Sequence, residues 1–171
     1  AATSDSTSSN NAEPRSLPPL AGFANSHSLR TIADARRLRA ELRAGARLAI
    51  VGSGFIGQEV AATARAMGAE VTVIEALELP LVPVLGARVS RWLVDMHRAE
   101  GVRVLLGSGL AGAAGNGRVE RLDLDCGTDL EVDVAVVAIG ICPRTEWLAA
   151  AGLGPGPVPT DPYGRTRVPH V

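Results

Sequence analysis

The chain contains no lysine: all 17 of its basic residues are arginine, set against 18 carboxylates for a formal net charge of −1. With the arginines scattered, this balance gives no sign of a polyelectrolyte partner. Aromatics at 3% leave no stacking platform for a nucleic acid. The only two cysteines, Cys126 and Cys142, are far apart, which excludes a disulfide framework and points to no metal site. Long apolar runs are also missing. The longest, Val134 to Cys142, falls well short of the ~20 residues that a membrane-spanning helix needs. The N-terminus has neither the basic stretch nor the apolar core of a secretory signal, so the expected location is cytoplasmic. There is no internal repeat and no membrane-surface helix. The sequence opens without methionine and stops at Val171, as an excerpt from a longer chain does.

What the chain does have is 171 residues at 46% apolar content, enough to bury one proper core. Its organising stretch runs from Arg47 to Glu75. An apolar run, Leu48 to Val51, enters Gly52-x-Gly54-x-x-Gly57; a helical segment follows to Met67, and a second apolar run ends on Glu75. This is a β-α-β unit carrying a dinucleotide fingerprint. Gly52 allows the tight turn, Gly54 lets the backbone come close to a pyrophosphate, and Gly57 lets helix and strand pack together. The N–H groups at the helix start, those of Phe55 and Ile56 among them, face the phosphates at the positive end of the helix dipole. Glu75 lies 18 residues beyond Gly57, where a carboxylate accepts hydrogen bonds from adenosine ribose hydroxyls and repels a 2′-phosphate. No basic residue occurs between Glu75 and Arg88, so the expected cofactor is NAD(H) and not NADP.

Around this unit the chain reads in order. Residues 1–28, rich in Ser, Asn, Thr and Pro, form an extended or disordered lead-in. A helix starts at a Thr31 cap, with Ile32, Ala35, Leu38 and Leu42 on its apolar face, and stops at Gly45. Arg36, Arg37, Arg39 and Arg43 fall on its outer side, either as a basic docking face or, more ordinarily, as a solvated one. The fingerprint helix sets Ile56, Val60, Ala64 and Met67 on one side, and Glu59 near its start gains from the dipole. Ala76 to Gly86 is a loop broken by Pro80 and Pro83. A further helix over Ala87 to Glu100 turns Val89, Leu93 and Met96 inward, with Trp92 and His97 more structural than functional. Val102 to Leu106 is a strand, Leu110 to Val132 a three-stranded antiparallel meander, and Val134 to Ile139 a buried parallel strand. Gly140 and Ile141 then place exposed backbone at the carboxyl edge of the sheet, where ligands bind in such folds. Cys142 reads as an inert small residue. Thr145 to Ala151 is a short helix with Thr145 as its cap, and Tyr163 to Val171 is a strand. The fold class is α/β: a Rossmann-like parallel sheet with helices on both faces and a small antiparallel insertion.

The segments GSGFIGQE, VTVIE, PVLG, VSRWLVDMHRAEGVRV and VAIGICPRTEWL together resemble the NADH-binding part of FAD-dependent pyridine nucleotide oxidoreductases of the ferredoxin reductase type. The likeness spans about Leu29 to Val171. It implies a nucleotide domain at residues 29–145, with residues 1–28 partly a remnant of a flavin domain and residues 146–171 a partial return segment of it. It further implies hydride transfer from NADH to FAD, then single-electron transfer to a ferredoxin-like iron–sulfur protein, with no side chain acting as acid, base or nucleophile. Gly52, Gly54, Phe55, Ile56 and Gly57 would hold pyrophosphate and Glu75 the ribose. Glu59 would approach the nicotinamide, and Gly140 and Ile141 would line the cleft. The family's own flavin fingerprint is absent, so the FAD site is incomplete here. Other readings stay open: a non-catalytic NAD(H)-sensing module, the same domain of a disulfide, nitrite or NADH-oxidase type reductase, or a turn that holds the adenosine of FAD.

Overall fold

Residues 12–154 and 156–169 are described by a computed structural model. They fall into two compact units, one of residues 14–140 and a smaller one whose described residues are 12–13, 141–154 and 156–169. The chain opens with strand β1 (Ala12–Pro14), a 3₁₀ turn over Pro18–Leu20 and the short strand β2 (Ser26–His27). Helix α1 (Ile32–Glu41), strand β3 (Arg47–Val51), helix α2 (Phe55–Ala66) and strand β4 (Glu70–Glu75) follow. Helix α3 (Val82–Ala99) leads to β5 (Arg103–Leu106), the strands β6 (Leu110–Ala114), β7 (Arg121–Leu124) and β8 (Asp129–Glu131), then β9 (Val134–Val137) and β10 (Ile141–Pro143).

In the larger unit β2-β9-β3-β4-β5 form a sheet that is parallel throughout. Strands β3 and β9 are buried almost end to end, as near-continuous apolar runs require when both sheet faces are covered. The sequence expects helices on both faces. The three α-helices all take one face, where Leu38, Val60, Ala64 and Val94 pack on Leu48, Ile50, Val71 and Val136. The other face carries the 3₁₀ turn, through Leu20, and the antiparallel β6-β7-β8 meander, whose Leu122, Leu124 and Leu130 meet Ala49, Val51, Ile74 and Val137. The meander turns where the glycines allow it, with Gly117 at φ +72° and Gly127 at φ +78°.

Helix α1 is capped as its sequence indicates. The Thr31 hydroxyl accepts from the Asp34 N–H at 3.2 Å, and the Asp34 carboxylate accepts from the Thr31 N–H at 2.7 Å. Burial pushes the Asp34 carboxyl up, but hydrogen bonds donated to it by the Thr31 N–H, the Thr31 hydroxyl and the Arg30 N–H, with the Arg37 charge nearby, outweigh it and hold the group below the usual carboxylate range.

Further expectations are corrected. Part of the supposed lead-in is ordered: Leu20, Asn25 and His27 are buried, and residues 14–28 belong to the larger unit, while residues 1–11 lie outside the described residues. Asn25 is the reason. Its side-chain amide donates to the carbonyls of Val119 (2.8 Å) and Asp133 (2.7 Å), and its oxygen accepts from the Val119 N–H (2.7 Å), clamping this segment to the loops around the meander. The second correction concerns α3, which begins at Val82, inside the expected loop, and kinks at Gly86 (φ +73°) before continuing. Third, its buried face is Ser90, Val94 and His97, one residue on from the expected stripe; Val89 and Met96 are exposed. The small Ser90 side chain lets the helix lie close, so the packing face does not follow the apolar pattern. Similarly, Ile56 on α2 is exposed where Gly57 and Ala61 are buried.

The fourth correction lies in the smaller unit, where β1 pairs with β10 and a 3₁₀ helix spans Glu146–Ala151. Thr145 does not cap that helix; its hydroxyl bonds Gly156 instead. The expected strand over Tyr163 to Val171 is not formed among the described residues. Asp161 Oδ1 accepts from the N–H groups of Tyr163 and Arg165, each at 2.9 Å, and this side-chain turn takes the donors that a strand ladder needs.

Replacing Asn25 with Ala strands the Val119 N–H in the interior, so Asn25→Ala is expected to cost on the order of 3 kcal/mol. It will appear as a lower urea midpoint with unchanged slope. Burial holds the His97 imidazole below its ordinary value, so the unfolded chain binds its proton first as pH falls. The stability that neutral His97 contributes is complete above the unfolded value of about 6.5 and is lost as pH falls from there through the folded value. Thermal melts from pH 7 to pH 5 should therefore drop more steeply for the native chain than for His97→Gln; parallel slopes would exclude this assignment.

Candidate functional site

The site is built at the carboxyl edge of the parallel sheet, where β3 passes into α2. Gly52 sits at φ +99°, and a Cβ there would stand 2.5 Å from the Ala138 carbonyl oxygen. A Cβ on Gly57 would stand 2.2 Å from the Gly52 carbonyl oxygen. Both glycines are thus required by the protein's own backbone, which brings helix and strand into direct contact. Gly54 differs. Its φ of −71° suits any residue, and the nearest atom to a Cβ would be 3.9 Å away, so nothing inside the chain demands a glycine there. The space in front of it is free for a ligand.

Gly54 is the N-cap of α2. The first intrahelical bond runs from the Gln58 N–H to the Gly54 carbonyl at 3.0 Å, which leaves the N–H groups of Phe55, Ile56 and Gly57 ahead of it. No side chain caps this end and the first turn has no acidic residue, so a helix dipole points its positive end at the open space. Glu59 lies beyond that first turn, on the flank of α2 that shares a groove with α1, and its carboxylate does not serve as a cap.

Glu75 closes the arrangement. One carboxylate oxygen accepts from the Ser53 N–H at 2.8 Å and the other from the Leu77 N–H at 2.9 Å. The sequence places this side chain near the turn; the bond to Ser53 makes it part of the turn. Each oxygen keeps a further acceptor position for a ligand hydroxyl. Gln58, passed over in the sequence, supports the same loop by donating to the Ser53 carbonyl at 3.1 Å. Leu81, at the start of α3, is the only non-glycine among the described residues with positive φ, at 59°. Nothing in its side-chain chemistry marks it in advance.

A second glycine pattern of the same spacing, Gly107-x-Gly109-x-x-Gly112, follows β5 and enters strand β6 instead of a helix. Its N–H groups serve the first site's surroundings, Gly107 donating to the Leu77 carbonyl and Ser108 to that of Glu75, each at 3.0 Å. Context, not spacing, separates the two.

Gly140 lies at φ +97° with open space around it, and its carbonyl accepts from the Arg15 N–H at 2.9 Å. Ile141 opens β10 in the smaller unit and is half-exposed. Both cysteines are free and exposed. The Cys126 thiol is held below its ordinary value by hydrogen bonds with the Ser108 and Thr128 hydroxyls. Among the described residues no helix is long and apolar enough to cross a membrane.

The chain is similar to known proteins. Residues 11–171 match the family described as pyridine nucleotide-disulphide oxidoreductase. The chain is 38% identical over 147 residues to a ferredoxin–NAD(P)(+) reductase of Sphingomonas sp., covering 85% of this chain and 36% of that protein. It is 40% identical over 126 residues to the ferredoxin–NAD(+) reductase subunit of the benzene 1,2-dioxygenase system of Pseudomonas putida, covering 74% and 31%. Among solved structures, the ferredoxin reductase for the CYP199A2 system of Rhodopseudomonas palustris superposes with a TM-score of 0.82 at 34% identity, over 94% of this chain and 40% of that one. The covalent putidaredoxin reductase–putidaredoxin complex gives 0.80 at 34%, over 85% and 36%. The chain therefore spans about a third of the length of the curated relatives it matches. With a family match over nearly its whole length, the chain belongs to the pyridine nucleotide-disulphide oxidoreductase family.

Proposed function

We propose that this chain is the NADH-binding domain of a flavoprotein oxidoreductase that passes hydride from NADH to FAD and electrons onward to a ferredoxin-like iron–sulfur protein. The observation that carries the nucleotide part is the Glu75 carboxylate, fixed by the Ser53 and Leu77 N–H groups beside an uncapped helix start. The pyrophosphate lies over Gly54 against the N–H groups of Phe55, Ile56 and Gly57, and the adenosine ribose donates to Glu75. A 2′-phosphate meets a carboxylate with no cation between Glu75 and Arg88 to offset it, which favours NADH over NADPH. Gly140 borders the same edge of the sheet; by likeness to the family, Glu59 is assigned to the nicotinamide end and Ile141, with Gly140, to the lining of the cleft.

The redox chemistry belongs to the bound cofactors; the chain binds and orients. FAD is assigned to parts of the parent protein outside this glycine turn, because the turn accommodates one dinucleotide. Support for the flavin and ferredoxin steps comes from relatives whose names state ferredoxin reduction. The test is a calorimetric titration of the chain with NADH and then NADPH, after its visible spectrum has been recorded. Saturable binding of NADH in preference to NADPH by a colourless protein is the expected result, and tight binding of flavin by the turn would overturn it.

Two sets of variants test the assignment within the site. Glu75→Ala should weaken NADH binding by about 1–3 kcal/mol, and Glu75→Gln should narrow the preference for NADH over NADPH. Unchanged affinity in both removes Glu75 from the site. Gly54→Ala should leave thermal stability within about 1 kcal/mol while lowering NADH affinity roughly tenfold. Gly57→Ala should instead lose stability, because its methyl group collides with the Gly52 carbonyl.

A further inference from the structure

We propose that the groove between α1 and α2 is a docking site for a helical segment of a partner protein, apolar along one side and rich in carboxylates along one edge. The groove encloses ≈ 320 Å³ and its floor is apolar: Leu29, Leu38 and Leu42 from the α1 side and Val60 and Met67 from α2. Both helices start at the carboxyl edge of the sheet, since each follows a parallel strand, and each leaves apolar side chains exposed there. Ile32 is 73% exposed and Phe55 55%.

The rim along α1 is cationic. Ile32, Arg36 and Arg39 recur at the spacing that sets side chains in one ridge along α1, Arg43 follows just beyond the helix end, and all four are exposed. Arg39 itself lines the groove. Arg37, on the opposite side of the helix, is paired with Asp34, whereas Arg36 and Arg39 form no ion pair among the described residues. Arg43 lies near enough to Asp133 to help hold that carboxyl down. Between Arg30 and Arg43 five arginines face only two carboxylates, although the whole chain carries a net charge of −1. Positive charge is thus concentrated at α1, one of the two helices that border this open apolar groove.

That combination selects the partner. An apolar floor calls for side chains at i, i+3, i+4 and i+7, which a polyanion lacks and an amphipathic helix supplies. The arginine ridge calls for carboxylates along one edge of that helix. Glu59 on the α2 wall repels carboxylates from the other edge and so sets the orientation. At ten residues α1 is about 15 Å long, which matches a partner helix of roughly three turns. This proposal does not depend on the nucleotide assignment, and NADH titration of the same samples reports separately on the glycine turn.

The experiment is fluorescence anisotropy with the full 171-residue chain and a labelled amphipathic peptide with leucines on one side and glutamates along one edge. Expected are saturable binding, weakening as salt is raised, and a loss of about tenfold or more in an Arg36→Glu/Arg39→Glu variant. Ala35→Trp, which fills the groove, should also abolish binding, whereas NADH affinity and the circular dichroism spectrum of the arginine variant stay unchanged. Equal binding of a peptide with lysines in place of the glutamates would overturn the proposal, as would undiminished binding by the arginine variant. Preferential binding to phosphatidylglycerol vesicles or to duplex DNA would replace it with a lipid-surface or nucleic-acid reading.

Discussion

Everything at the carboxyl edge of this sheet depends on how closely α2 approaches β3. The Gly57 Cα faces the Gly52 carbonyl so tightly that a methyl group would overlap it, and Gly52 lies equally tight against Ala138 at the end of β9. Three elements therefore meet without intervening side chains. That contact aims the start of α2 outward from the sheet edge and leaves its first N–H groups facing open space. Glu75 then fixes the loop from the β4 side through Ser53, so the cradle is set in place by its own backbone before any ligand arrives. Preorganisation of this kind reduces the ordering cost of binding.

The division of labour between the sheet faces follows from the same strand order. Strand β2 crosses over β9 to reach β3, and β3 steps to β4 in the same direction, so right-handed crossovers put α1 and α2 on one side. The opposite face is left to the meander, which enters the chain between β5 and β9. Asn25 binds that arrangement together with three hydrogen bonds from one buried side chain. At the sheet's other end Arg47 bonds Asp133 through its backbone N–H and its guanidinium, both at 2.9 Å, and holds that carboxyl below the usual range. Both partners are partly exposed, so this pair fixes register more than it adds stability.

Much of the candidate site was legible because its signals are local. The β3-α2-β4 unit, the jobs of Gly52 and Gly57, and the position of Glu75 all follow from spacing within 30 or so residues, the size of one supersecondary unit. Legibility failed where distant contacts decide. The Thr31 cap was readable, but the burial of Asn25 depends on Val119 and Asp133, about a hundred positions later. On α3 the apolar residues mark one stripe, while the face that packs includes Ser90 and His97, chosen for size and position. The second glycine pattern shows the converse: a sequence that meets the spacing rule and, lacking a following helix, forms no such cradle.

By itself the sequence determined the α/β class, the glycine turn with an acidic residue, Glu75, beside it, and the antiparallel insertion before the last parallel strand. Each is written in periodicities and glycine positions that constrain the backbone directly. Only the tertiary structure decided that the α-helices share one sheet face, that residues 14–28 join the larger unit, and that Glu75 is bonded to the turn it serves. Those outcomes depend on which surfaces meet once the chain has crossed over itself. Local propensity cannot encode them, because the energies involved belong to pairs of residues far apart in sequence and become effective only when the sheet has formed.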